Sequence, residues 1–124
     1  MVRKYDNQNE GWYNMTTVSK SDWKLFMAKV PEWQERYMGK LLKQYIKLLS
    51  DENRNPSERF WKLDERLKKD KRNPGVQMEL EKQEVPYDIV RLIRLKVIKM
   101  EDIEDFSDPL KEFVRELIER GYSS

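Results

Sequence analysis

Cysteine and histidine are both absent from the 124 residues. The first absence excludes disulfides and thiolate metal sites, and it fits a reducing compartment. The second removes the commonest general base, the neutral-pH proton switch and the commonest metal ligand. Glycine is scarce: four scattered residues cannot build a phosphate-cradling loop. Long apolar runs are missing as well. A membrane-spanning helix needs about 20 predominantly apolar residues, and the longest uninterrupted run here is Leu25-Phe26-Met27-Ala28. Residues 1–14 offer no apolar core of the signal-peptide kind. No P-loop, Rossmann fingerprint, nucleophile elbow or metal-ligand cluster is present. These absences predict a cytoplasmic protein with no membrane segment and no cofactor.

What remains is rich in charge and in aromatic rings. Charged residues make up 39% of the chain, well above the usual quarter. Apolar residues make up 38%, with four Trp, six Tyr and four Phe, enough for one modest core. Abundant Glu, Lys, Arg and Leu favour helices with charged outer faces. The expected fold is therefore all-α, a compact bundle of about five helices plus a short acidic helix. Residues 1–20 read as a polar N-terminal arm, and residues 21–124 as a single helical domain.

Periodicity locates the elements. Ser21 and Asp22 offer an N-cap and a first-turn acid. Trp23, Phe26, Val30, Trp33, Tyr37, Leu41, Tyr45 and Leu48 then recur at three- and four-residue intervals, which is one face of a helix. Pro31 interrupts them, so the stretch is either two helices, 22–29 and 31–50, or one kinked helix. Asn55-Pro56 opens a second helix running to residue 71. Phe60, Leu63 and Leu67 should point inward, with Trp61 beside them. Asn73-Pro74-Gly75 is a turn signal. Residues 76–84 alternate like a strand at Val76, Met78 and Leu80. Their composition favours helix and a lone strand would have no mate, so a helix is expected. Helices follow over 86–96 and from Ser107-Asp108-Pro109, with Ile103 and Phe106 inward between them. Gly121 should end the last one.

Charge is unevenly spread. Residues 1–100 carry 22 Lys/Arg and 15 Asp/Glu, whereas residues 101–124 carry 3 and 8. A candidate basic patch comprises Lys40, Lys43, Lys47, Arg66, Lys68, Lys69, Lys71 and Arg72, which could meet nucleic-acid phosphates. The competing reading is that cations at a helix C-terminus complement its dipole. Acids 101–108 lack the spacing of a calcium-binding loop and read as a solvated turn. A helix-turn-helix over 86–120 is disfavoured, because the helix that would enter the groove begins with acids. A candidate aromatic partner surface comprises Trp12, Tyr13 and Trp61, against the reading that these rings belong to the core. The leading functional reading is a non-enzymatic protein acting through protein–protein interaction or self-association. The alternatives are a nucleic-acid-binding accessory protein and a cryptic enzyme with carboxylate or Lys chemistry.

One resemblance rests on particular strings. Asp22-Trp23-Lys24-Leu25-Phe26, Pro31-Glu32-Trp33-Gln34-Glu35, Asn55-Pro56-Ser57 with Phe60-Trp61, Asn73-Pro74-Gly75 and Glu104-Asp105-Phe106-Ser107 all take part. Over roughly residues 21–120 the chain resembles a small family of Gram-positive bacterial proteins with no established activity. Some members carry the label multidrug transporter, which is at odds with the lack of any spanning run here. The resemblance implies a bacterial cytoplasmic accessory protein and carries over no catalytic or ligand-binding residue.

Overall fold

The computed structural model describes residues 17–121. Those residues are all-α, with no strand among them. Four helices form: α1 (Lys20–Leu49), α2 (Pro56–Asp70), α3 (Val85–Arg94) and α4 (Asp108–Glu119). Short 3₁₀ turns occupy Lys82–Glu84 and Met100–Ile103. No described helix is long and apolar enough to cross a membrane. Trp12 and Tyr13, like most of the expected arm, lie outside the described residues.

Two expectations about the elements are resolved. At Pro31 the chain forms one continuous helix rather than two. An interior proline removes a backbone bond and costs about 3 kcal/mol. Burial of Phe26, Val30 and Trp33 on one face spanning the proline offsets that loss. The helix expected over 76–84 does not form, which leaves four helices in place of about five. Gly75 N–H donates to Asn73 Oδ1 at 2.7 Å, and Val76 N–H to the Asn73 carbonyl at 2.8 Å. Past that turn the chain forms no regular element until Lys82–Glu84 coils again. Val76, Met78 and Leu80 are half-buried while Gln77, Glu79 and Glu81 are exposed. The two-residue alternation was thus the true signal, and burial on one side outweighed helix propensity.

The described residues divide into two compact units. The first holds the described residues up to Val30 together with those from Leu80 onward, and the second is Pro31–Glu79. In the first unit, α3 and α4 bury Val85, Ile89, Val90, Leu110 and Val114, while Phe26 and Ile103 are equally shielded. Tyr87 meets Phe113 edge to face, ring centres 6.0 Å apart. Ser107 caps α4 by accepting from Leu110 N–H at 3.4 Å. The same residue is held by α1: its N–H and Oγ–H donate to the two carboxylate oxygens of Asp22, at 3.0 and 2.5 Å. Asp22, expected only as a first-turn acid, is buried and ties the start of α1 to the cap of α4. Lys96 adopts a positive φ of 62° just past α3, and Gly121, at φ 75°, follows α4.

Candidate interaction surface

In the second unit, α1 from Pro31 onward and α2 form an antiparallel hairpin closed by residues 50–55. Side-chain rungs fix its register. At the closed end Arg59 Nη1 donates to the Leu49 carbonyl at 2.6 Å. Midway, Arg66 Nη2 donates to Gln44 Oε1 at 2.7 Å. Tyr45 OH donates to Asp70 Oδ2 at 2.5 Å. At the open end Asn73 Nδ2 donates to Tyr37 OH at 3.2 Å, and Gln34 Nε2 to the Pro74 carbonyl at 2.9 Å.

The seam between these helices is therefore crossed by polar rungs beside the buried Leu41. The Arg66 guanidinium lies 5.4 Å from the Tyr45 ring centre and 3.5 Å from Asp70. Buried Asp70 is thus met by a hydroxyl and a cation, as a carboxylate removed from water requires. Burial, the hydrogen bond to Asp70 and its negative charge push the Tyr45 phenol up to about 12, with Arg66 opposing. Burial and Asp70 raise Tyr37 in the same direction.

With polar rungs between the helices, apolar side chains stand outside. Leu42, Ile46 and Leu49 on α1 are exposed, Ile46 by 63%. On α2, Phe60 and Trp61 are each 63% exposed, and Leu67 is exposed too. The expectation that Phe60 and Leu67 point inward is thereby corrected. Arg59, Leu63, Arg66 and Asp70 take the inner positions, because the bonds to Leu49, Gln44 and Tyr45 turn that side of α2 toward α1.

At about 100° per residue, Leu42, Ile46 and Leu49 sit roughly a quarter-turn round α1 from the seam, and Phe60 and Leu67 about a quarter-turn round α2. Both rotations have the same sense along each chain. In an antiparallel pair of right-handed helices they bring the two sets to one side, so five exposed apolar residues share one face of the hairpin. Trp61 stands at its edge and meets Phe60 at 5.1 Å, the rings 82° apart. Sequence reasoning passed over the α1 half of this strip. The signal was a second apolar row, Met38, Leu42, Ile46 and Leu49, beside the row of Tyr37, Leu41, Tyr45 and Leu48.

Apart from Arg66, the candidate basic residues are exposed. Lys40, Lys43 and Lys47 are exposed on α1. Lys68 lies on α2 and pairs with Asp64 at 3.1 Å. Lys69, Lys71 and Arg72 are exposed near the end of α2. Arg66 is turned into the seam. In the first unit, a shallow cleft of about 430 Å³ is lined by Met100, Glu101, Glu104, Lys111, Arg115, Ile118 and Glu119. Lys111 in it is engaged by the Glu104 carbonyl at 3.1 Å and by Asp108 at 3.4 Å. Among the described residues no group of three or more carboxylates is placed to hold a metal ion. No protein-family model, curated protein or solved structure matches the chain.

Proposed function

We propose that this protein is a non-enzymatic accessory module of the bacterial cytoplasm, acting by binding through a helical surface. The observation that carries this reading is the exposed strip of Leu42, Ile46, Leu49, Phe60 and Leu67, edged by Trp61. These side chains, each 39–63% exposed, form a run of apolar surface of the kind that often marks an interaction site. Phe and Trp are also favoured anchors, since a large rigid ring is buried with little loss of freedom. A nucleic-acid surface has less support, because Arg66 is bonded within the seam and Lys68 is paired with Asp64.

The test compares two baits in native lysate, the wild-type chain and the Leu42→Glu/Phe60→Glu variant. Both sites are exposed, so the variant should stay folded. A binder held by the wild type and lost by the variant is the expected result. Equal retention by both would remove the strip as the binding surface.

A further inference from the structure

We propose that the strip's occupant is a second copy of this chain, two hairpins meeting face to face as an antiparallel four-helix bundle. This deepens the reading above and rests on it. Three observations select the occupant.

The first is area. Leu42, Ile46, Leu49, Phe60, Trp61 and Leu67 are each 39–63% exposed, and the half-buried Met38 and Leu63 and flanking aliphatic stems add to them. A stable interface buries roughly 800 Å² on each partner, and one strip matches another in extent. A pair of helices is also half of a four-helix bundle, whose remaining apolar faces are covered by the second pair.

The second is charge. Homodimers are most often two-fold symmetric, with the same patch on both sides of the interface. A two-fold axis crossing the strip lays α2 antiparallel on its counterpart. Asp64 and Lys68, one turn apart at the strip's border and paired within the chain at 3.1 Å, then face their copies in reverse order. Asp64 of each chain comes beside Lys68 of the other. In that orientation the border is complementary to itself, whereas α2 laid parallel on its counterpart would set like against like.

The third is Gly39. It lies inside α1, three residues before Leu42, where glycine is about 1 kcal/mol worse than alanine. Among the described residues nothing calls for it, because a Cβ built there meets none of their atoms within 4 Å. A missing side chain lets another backbone approach closely. On the edge of the strip, that backbone is the copy's α1.

Light scattering and sedimentation of the full chain between 1 and 100 μM test the proposal. The expected mass is twice 15.2 kDa at the upper concentrations. Ile46→Glu should weaken the dimer at least tenfold, with helical circular dichroism unchanged. Asp64→Lys and Lys68→Asp should each weaken self-association, and mixing these two variants should restore it as a heterodimer. Two chains each carrying one sign at the border attract only across an interface, so a merely intramolecular pair cannot produce that rescue. A monomer at 100 μM, or a dimer indifferent to Ile46→Glu, overturns the proposal. If the chain is monomeric but the strip variant still loses a lysate binder, only the choice of occupant fails. If neither self-association nor a strip-dependent binder is seen, the binding reading fails with it.

Discussion

Around α3 and α4, Ile89, Val90, Leu110 and Val114 are wholly shielded from solvent, while in the hairpin Ile46, Phe60 and Trp61 stand more than half exposed. Of the side chains with under 2% exposure, Pro74 is the one that belongs to the hairpin unit. The described residues of the first unit hold eleven Val and Ile against two in the hairpin unit, so composition contributes to the contrast, and the number of enclosing directions adds to it. The first unit surrounds its apolar residues with two short helices, a 3₁₀ turn and the start of α1. The hairpin has two helices and one seam, and polar rungs cross that seam. Its remaining apolar row has nothing of its own unit to turn toward.

The contrast breaks most sharply at Phe26. It is fully buried, and replacement by alanine should destabilise the chain by about 3–5 kcal/mol in urea unfolding. A loss under 1 kcal/mol would mean that the first unit is not the stability core.

The next effect concerns a buried acid. Asp88 of α3 is pushed up to about 6 by burial, against the attraction of Arg91 at 3.8 Å and with help from Glu84 and Glu81. The sign follows from the direction. Between its unfolded value of 3.8 and about 6, the native chain holds a proton that the unfolded chain has released. Asp88 therefore contributes stability below pH 3.8 that is lost as pH rises through 6. Asp88→Asn should raise stability above pH 6 by about 1–3 kcal/mol and flatten the slope between pH 4 and 6. An unchanged slope of urea midpoint against pH would show that Asp88 is not the responsible group. Asp70, the hairpin's buried acid, is met by Tyr45 and Arg66, as Asp22 is met by Ser107, so Asp88 differs from both in how it is received.

A smaller loss is expected at the link from α1 to α4. Ser107→Ala removes the cap of α4 and one of the two groups donating to buried Asp22. The loss should be about 1–2 kcal/mol, read from the thermal midpoint. Ser107→Thr, which keeps the hydroxyl, should recover most of it.

Much of this was legible in the sequence. The cap at Ser107, the helix start at Pro56, the apolar row of α1 and the glycine after α4 are local signals, and each marks an element boundary or a buried face. What was not legible depends on partners distant in the chain. Phe60 and Leu67 carry the spacing of an inward face, but Arg59, Arg66 and Asp70 share the helix with them. Only the rungs to Leu49, Gln44 and Tyr45 decide which side turns in. Asp22 shows the same limit, since its bond to Ser107 spans 85 residues. Over 76–84, propensity and alternation disagreed, and the Asn73 turn decided between them.

The smallest effect on folding is also the most telling about the strip. Ile46 is large, β-branched and 63% exposed. In a dilute monomer, Ile46→Ala deletes atoms already in water, so stability should change by no more than about 0.5 kcal/mol. The outcome should depend on concentration. Where two copies associate, folding is linked to binding, and the wild-type thermal midpoint should climb with concentration faster than that of the variant. A variant that loses 2 kcal/mol in the dilute regime would show that Ile46 is enclosed within its own chain, and the contrast between the two units would disappear at its clearest residue. A variant that matches the wild type when dilute and falls behind when concentrated ties that exposed side chain to a second molecule.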